Sequence, residues 1–418
     1  MPSQVLMGVM DKVASLMRNQ RQVKDGPIPL LLAFLCLFPG CMAGTRKNQL
    51  WSERMALSVI QRAPEPWNLD TEKTGKWEYT FGLVCKALLE VYDCTQDRRY
   101  FRYVKAYYDH HIDSSGQIPE YRLSEYNIDR INPGKPLFRL YRETGDDRYL
   151  KAIHLLRSQM KTHPRTSEGG FWHKAIYPHQ MWLDGIYMAS PFLAEYAATF
   201  NEPDLFDDVA NQVLLMEKHA RDPKTGLLHH GWDESRSQRW ADFETGLSPH
   251  IWGRSMGWYA MALVDILDFF PADNPQRLEI LAVLNRLTAA VVSVQDSASG
   301  LWYQVMDMGG REGNYPESSA SSMLVYALAK AAGKGYLPPS YMMAATKGYQ
   351  GILDRFIEVD ADALVNIHRA CAVAGLGGDP YRDGSYEYYI KERIRSNDPK
   401  AVGPFILASL EMEKSGSR

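Results

Sequence analysis

Residues 169–187 read GGFWHKAIYPHQMWLDGIY and combine a glycine turn, an aromatic strand-like piece and the start of a helix. The one carboxylate of this segment, Asp184, lies among Trp, Met and Leu residues. A carboxyl group in apolar surroundings keeps its proton more readily than one in water, as a general acid requires. An Asp near a helix start can also serve only as a cap. The segment therefore predicts an acid-base residue at a helix start, with capping as the alternative.

The same succession of glycine turn, strand-like piece and helix recurs at residues 113–121, 222–234 and 296–307. Elsewhere apolar residues recur at three- and four-residue spacing, which is typical of helices packed on one face. Twelve helices follow from this spacing, at roughly residues 48–63, 77–93, 97–112, 128–143, 147–161, 181–199, 203–219, 253–269, 275–296, 317–333, 339–357 and 400–414. Six helical hairpins with short β-strands in the loops between them predict an all-α fold, an (α/α)6 barrel.

The inner helices of such a barrel bring their starts together at one mouth. We assign to the inner ring the helices that carry Trp77, Asp129, Asp184, Arg254 and Glu317 near their starts. An open helical solenoid is the alternative, but solenoid repeats are shorter and more regular than these. The candidate functional residues are therefore expected to converge on one pocket.

The composition is that of an ordinary globular protein, with 45% apolar and 23% charged residues and a formal net charge of −3. This charge provides no basic field for nucleic acid or for an anionic membrane. No low-complexity linker interrupts the helical region. We expect one catalytic domain over residues 45–418, preceded by an export segment over residues 1–44.

The export segment is indicated by the run LLLAFLCLF at residues 30–38, which is too short to span a membrane. Basic residues precede it and small residues follow, as in a signal peptide. Cys41 follows Pro-Gly and is a candidate for lipid anchoring. We expect an exported protein, periplasmic or a membrane-anchored lipoprotein, with a cytoplasmic protein as the alternative. The five cysteines form neither a disulfide framework nor a zinc motif.

Three repeats supply polar side chains for a carbohydrate-sized pocket. Asp129, in YNIDRINPG, offers a second carboxylate to accompany Asp184, or it caps a helix. His173 and Lys174 follow a Trp, and His230 lies two residues before one, at matching places in successive repeats. Single histidines are more often structural, but matching positions in successive repeats favour a shared site.

The segment HIWGRSMGW supplies Trp252, Arg254 and Trp258, where a guanidinium flanked by indoles could bind a carboxylate or pack as a structural arginine. Glu317 follows Tyr-Pro and indicates a helix N-terminus. Residues 366–405 are interpreted as rim loops. The chain has no HExxH motif, no P-loop and no dinucleotide fingerprint, so we predict neither a metal site nor a cofactor.

Taken in order, YNIDRINPG, GFWHKAIYPHQMWLDGIYM, GLLHHGWDES, HIWGRSMGW, GNYPESSASSM and NDPKAVGPF resemble the motifs of the unsaturated rhamnogalacturonyl hydrolases, glycoside hydrolase family 105. The chain is more distantly similar to the unsaturated glucuronyl hydrolases of family 88. The resemblance covers roughly Trp51 to the C-terminus and implies the same (α/α)6 barrel.

The resemblance implies that Asp184 is the general acid/base and Asp129 the second pocket acid. It implies a substrate-binding pocket lined by His173, Lys174, His230, Trp252, Arg254 and Trp258. The implied reaction removes a 4,5-unsaturated uronic acid from the non-reducing end of rhamnogalacturonan-derived oligosaccharides by hydrating the C4=C5 double bond. The favoured uronic acid is unsaturated galacturonic acid. Unsaturated glucuronyl substrates from glycosaminoglycan or ulvan are an alternative, and a non-catalytic carbohydrate-binding protein is a second. The oligomeric state stays open.

Overall fold

The computed structural model describes residues 49–416 except residues 71, 73 and 74. The export segment and Cys41 lie outside the described residues, so the predicted division of the chain stays a prediction. No described helix is both long and apolar enough to cross a bilayer. The described α-helices are α1 Trp51–Arg62, α2 Tyr79–Thr95, α3 Arg98–His111, α4 Lys135–Thr144, α5 Asp147–Thr162, α6 Leu183–Phe200, α7 Asp204–Ala220, α8 Gly253–Ile266, α9 Pro275–Ser293, α10 Ser318–Gly333, α11 Tyr341–Arg355, α12 Tyr386–Lys391 and α13 Pro399–Gly416.

Six helices close into an inner ring in the order α2, α4, α6, α8, α10 and α13. Each packs against the next, and α13 packs against α2, which closes the ring. Between α2 and α6 the contact runs largely through a 3-10 helix, Ile128–Gly134, that leads directly into α4. Helices α1, α3, α5, α7, α9 and α11 pack outside. The predicted (α/α)6 barrel is confirmed, and all twelve predicted helices are present.

The helix predicted over residues 128–143 is divided into a 3-10 and an α-helical part. Pro133 lies inside the 3-10 segment, and α4 begins only at Lys135. A proline has no amide hydrogen to donate, so regular α-helix does not run through it. Asp129 therefore lies on a short, tighter helix at the barrel mouth.

The predicted strand in the inter-hairpin loops is present as an antiparallel pair, β1 Gln180–Trp182 with β2 Gly231–Asp233. Two further pairs lie in the segment before α13 and were not predicted. These are β3 Ile357–Val359 with β4 Val365–Ile367, and β5 Ala370–Cys371 with β6 Ile394–Arg395. The rim-loop interpretation of residues 366–405 is therefore incomplete, because this segment also holds α12 and the start of inner helix α13.

The four recurring loops turn on a glycine with left-handed backbone, a conformation that costs other residues strain. These are Gly116, Gly169, Gly226 and Gly300, with φ between +73° and +89°. In three of the loops an Asp at the first position accepts hydrogen bonds from backbone N–H groups of the turn. The repeated turns thus send the chain from each outer helix back toward the mouth.

Gly82 of α2 packs closely against the backbone of the 3-10 helix that leads into α4. A Cβ atom there would lie 2.5 Å from the Cα atom of Pro133. Backbone cannot move aside as a flexible side chain does, so we expect Gly82→Ala to lower the free energy of unfolding by about 1–3 kcal/mol. Urea denaturation measures this. Gly333→Ala, at the end of α10 with open space around it, is the matched control, and an equal loss in both variants would contradict the packing argument.

Candidate active site

Four inner helices are bonded through the backbone to the inter-hairpin loop that follows in the chain. In α4 the bond is made by the 3-10 helix that precedes it. Each bond runs from an N–H at the helix start to a carbonyl in that loop. The donor and acceptor pairs are Ile128 with His173 at 3.2 Å, Leu183 with His230 at 3.0 Å, Gly253 with Gln304 at 2.8 Å, and Ser318 with Arg369 at 3.2 Å. The matching positions inferred for His173 and His230 are thus real structural equivalents, and both side chains are delivered to the mouth.

Asp184 lies in the first turn of α6, next to His230. Strand pairing places Trp182 opposite Gly231, so the residue before that glycine reaches the acid. His230 Nε2 lies 3.2 Å from Asp184 Oδ2. The imidazole is fully buried, whereas the acid keeps 13% of its side chain exposed. The N-cap position is Trp182, which makes no side-chain cap, so the structure does not support capping as the role of this aspartate.

Asp129 is held by the next loop through two side chains. Lys174 Nζ lies 2.7 Å from its Oδ2, and His173 Nε2 lies 3.5 Å from its Oδ1. Burial alone would lower the pKa of Lys174, but the adjacent carboxylate outweighs this and raises it. The cap of this 3-10 helix is Asn127, whose side chain accepts from the Asp129 N–H at 3.1 Å. The negative charge of Asp129 is therefore compensated locally.

Trp182 lies between His173, which is beside Asp129, and His230, which is beside Asp184. Its ring stacks on His173 with centroids 4.3 Å apart and 15° between the planes. It also stacks on Tyr177 and meets the His230 ring edge-on, at 5.5 Å and 65°. Trp252 continues this wall at 4.7 Å from the His230 ring. Both acids thus lie beside one continuous surface of aromatic and imidazole rings.

Arg254 is buried in the wall and bonded within the protein. Its Nε donates to Ser319 Oγ at 2.7 Å, and Nη2 lies 3.4 Å from Glu317 Oε1 and donates to the Cys371 carbonyl. Burial would lower the pKa of this guanidinium, but the charge of Glu317 raises it above its ordinary value. Glu317 also caps α10 by accepting from the Ala320 N–H at 2.6 Å, as its position predicted.

Trp258 lies one turn further into α8 and is 1% exposed. It stacks on Tyr187 with centroids 4.8 Å apart. Lys174, by contrast, keeps 22% of its side chain exposed. The predicted pocket residues are therefore gathered at one end of the barrel, where Lys174 is partly exposed and the other five, His173, His230, Trp252, Arg254 and Trp258, are at most 3% exposed. Their roles toward substrate stay predictions.

Sequence reasoning missed Tyr389 and Gln304. The Tyr389 hydroxyl lies 2.8 Å from His230 Nδ1 although 159 residues separate the two in the chain. Gln304 accepts from the Trp252 indole at 3.2 Å and donates to the Tyr389 carbonyl at 3.1 Å. The signal available in the sequence was the tyrosine cluster SYEYYIKE within the supposed rim loops. Within the described part of the chain, no three His, Cys, Asp or Glu side chains are grouped as a metal site requires.

Burial lowers the pKa of His173 from its ordinary 6.5 to about 4. Between about pH 4 and about pH 6.5, His173 binds a proton in the unfolded chain but not in the folded protein. Stability is therefore complete above about pH 6.5 and falls as the pH drops toward 4, by about 3 kcal/mol from this residue. We expect His173→Gln to flatten the dependence of unfolding free energy on pH by this amount, measured with urea between about pH 7 and about pH 4.

The control for this prediction is His368→Gln, because 35% of that side chain is exposed. The flattening expected of His173→Gln should exceed any change in this control. A slope in His173→Gln as steep as in the wild type would show that the excluded proton belongs to other groups.

The closed ring and its mouth define a class of protein. One end of this (α/α)6 barrel holds a carboxylic acid, two imidazoles and several indoles. Such a set is typical of a carbohydrate-active enzyme, because aromatic faces pack on sugar rings and the acid transfers a proton. Residues 51–416 match the family model described as Glycosyl Hydrolase Family 88. The chain belongs to that family.

A solved glycoside hydrolase from family 105 of C. acetobutylicum ATCC 824 has 47% sequence identity and a TM-score of 0.85, covering 88% of this chain and 100% of its own. Its identity and coverage group this chain with family 105. The Bacillus subtilis protein named unsaturated rhamnogalacturonyl hydrolase YesR is 28% identical over 345 residues, 81% of this chain and 91% of its own length.

A solved unsaturated glucuronyl hydrolase from Bacillus sp. GL1 superimposes with a TM-score of 0.64 at 14% identity, covering 87% of this chain and 95% of its own. At this identity the likeness concerns the fold. The predicted family and enzyme class are confirmed.

Proposed function

We propose that the enzyme removes a 4,5-unsaturated uronic acid from the non-reducing end of rhamnogalacturonan-derived oligosaccharides. The uronic acid that we favour is unsaturated galacturonic acid. The observation that carries the proposal is the unequal treatment of the two acids. Both side chains are 13% exposed and lie near a buried imidazole, but Asp129 is also ion-paired with Lys174, whereas Asp184 pairs with no lysine or arginine among the described residues. The relative named for rhamnogalacturonyl substrates supports this substrate class.

One acid is sufficient for this reaction because the unsaturated ring is an enol ether. Protonated Asp184 donates its proton to C4, and positive charge develops at C5 and the ring oxygen. The resulting carboxylate then takes a proton from water as the water oxygen bonds to C5. The hemiketal formed in this way opens, releasing the neighbouring sugar and a 5-keto-4-deoxyuronate. Asp184 ends the cycle protonated, as it began.

Asp129 has a supporting role in this scheme. Ordinary glycosidases use two carboxylates as acid and nucleophile or base, and the separation of the two predicts the stereochemistry. Hydration of a double bond needs no carboxylate nucleophile, so that argument does not transfer. Held by Lys174, Asp129 orients sugar hydroxyls and contributes negative potential beside the developing cation.

The test is a panel of oligosaccharides produced by lyases from rhamnogalacturonan, chondroitin and ulvan. Turnover is followed by the loss of absorbance of the conjugated double bond, and products are identified by mass spectrometry. We expect the highest kcat/KM on the rhamnogalacturonan products. Faster turnover of chondroitin or ulvan products would replace the proposed substrate with a glucuronyl one. Absence of turnover on all three would contradict the proposed reaction.

We also propose that the protein is exported and that Cys41 carries a lipid anchor. The support is the apolar run at residues 30–38 with its basic flank and the Pro-Gly-Cys that follows. Fractionation of cells that express the full chain, compared with Cys41→Ser, tests both parts. We expect the wild type in the membrane fraction and the variant in a soluble fraction. Wild-type protein in the cytoplasm would contradict export.

A further inference from the structure

His230 lies between the proposed acid and a tyrosine from the far end of the chain. Its Nε2 is 3.2 Å from Asp184 Oδ2, and its Nδ1 is 2.8 Å from the Tyr389 hydroxyl. Both rings are 0% exposed. One buried imidazole therefore lies between the acid and a phenol that has no role in the mechanism above: Nδ1 is hydrogen-bonded to the phenol, whereas Nε2 approaches Asp184 Oδ2 without the alignment of a hydrogen bond in the substrate-free protein.

The Tyr389 phenol keeps its proton, because burial raises its pKa well above the ordinary value. Among the described residues, the hydrogen-bonding partner of its hydroxyl is His230 Nδ1. A buried O–H that fails to donate loses the free energy of its bond to water without replacement. The phenol therefore donates to Nδ1. A neutral imidazole that accepts at Nδ1 carries its hydrogen on Nε2, and that nitrogen faces Asp184.

Tyr389 is itself held in place from two sides. Gln304 donates to its carbonyl at 3.1 Å and bonds the Trp252 indole at 3.2 Å, while the Trp252 and Tyr389 rings stack with centroids 6.0 Å apart. Its N–H donates to the Ser385 carbonyl at 3.1 Å. The hydroxyl is thus presented to the imidazole in a fixed direction. The titratable groups that act on this pair are Asp184, His173, Cys371, Asp383 and Tyr388.

We propose that Tyr389 is a positioning residue that holds His230 in the Nε2–H tautomer, so that Oδ2 of Asp184 faces a hydrogen-bond donor and the transferable proton resides on Oδ1. A donor at Oδ2 disfavours protonation of that oxygen. The proton is thereby kept on the oxygen that is directed away from the imidazole. The inference rests on the proposed function for its kinetic consequences, whereas the tautomer itself is a property of the protein without substrate.

The kinetic test is Tyr389→Phe, which removes the hydroxyl and keeps the ring. We expect kcat to fall by about 10- to 100-fold, a part of the 10²–10⁴ that a general acid contributes, with KM within about twofold. Without the phenol, His230 can move its hydrogen from Nε2 to Nδ1. The carboxylate form of Asp184 then no longer faces an N–H group. The alkaline limb of the kcat–pH profile should therefore move to higher pH, which a merely structural loss would not cause.

The matched control is Tyr386→Phe on the same short helix. Its hydroxyl donates to the carbonyls of Arg311 and Glu312, away from His230. Wild-type kinetics and pH limbs are expected for it. A Tyr389→Phe enzyme whose pH limbs coincide with those of the control would overturn the proposal.

A spectroscopic test needs no substrate. Nitrogen-15 NMR of histidine-labelled protein distinguishes the two tautomers, and His230→Gln identifies the resonances of this ring. We expect Nε2 to be protonated in the wild type and the tautomers to mix in Tyr389→Phe. Protonation at Nδ1 in the wild type, or an unchanged tautomer in the variant, would overturn the proposal. Failure of the substrate panel with the Nε2–H tautomer intact would instead count against the proposed function.

Discussion

We expect Asp184→Asn to lower kcat on an unsaturated disaccharide by about 10³-fold, within the range that general acid-base catalysis contributes. The amide preserves the shape of the side chain beside His230, but it can neither give a proton to C4 nor take one from water. Substrate contacts with the aromatic wall remain, so KM should change little. The measurement is the initial rate of absorbance loss from the conjugated double bond under saturating substrate.

Asp207→Asn is the matched control for this variant. Asp207 lies in the first turn of the outer helix α7, as Asp184 lies in the first turn of α6, but it is exposed. The same chemical change there should leave kcat at the wild-type value. Turnover by Asp184→Asn within a few-fold of this control would remove Asp184 from the role of proton donor and with it the proposed mechanism.

The barrel could be predicted from the sequence because its determinants are local. Each helix shows its own apolar periodicity, and each loop carries its own glycine turn, so repetition alone gives the order of hairpins. Asp129, Asp184, Arg254 and Glu317 stand near the starts of inner helices for the same reason. The matching places of His173 and His230 in the repeats then bring them to one mouth without knowledge of any long-range contact.

The parts that escaped prediction depend on contacts between distant segments. Tyr389 reaches His230 only because the segment before α13 folds back over the mouth, and no periodicity encodes that path. The sequence also left open whether Arg254 is structural. Its partners Ser319 and Cys371 lie 65 and 117 residues away. A motif gives the residue types at a site, whereas the distribution of their hydrogen bonds requires the folded chain.

Glu317→Gln is expected to lower the free energy of unfolding by about 3–5 kcal/mol, the loss measured when one partner of a buried ion pair is removed. Glu317 is 0% exposed and Arg254 is 1% exposed. The glutamate accepts from the Cys371 N–H at 2.8 Å and the Ala320 N–H at 2.6 Å, so it also joins β5 to the start of α10. The neutral amide leaves the guanidinium charged in a place that water does not reach.

Glu387→Gln is the matched control for this variant. Glu387 pairs with Arg311 at 2.9 Å, but the two side chains are 59% and 45% exposed. Water solvates both charges when that pair is lost, so the expected cost is below about 1 kcal/mol. Urea denaturation of the two variants thus compares the same substitution in a buried and an exposed Glu–Arg pair. Equal losses would mean that Arg254 is not held by charge, and its role would then be sought in contact with substrate.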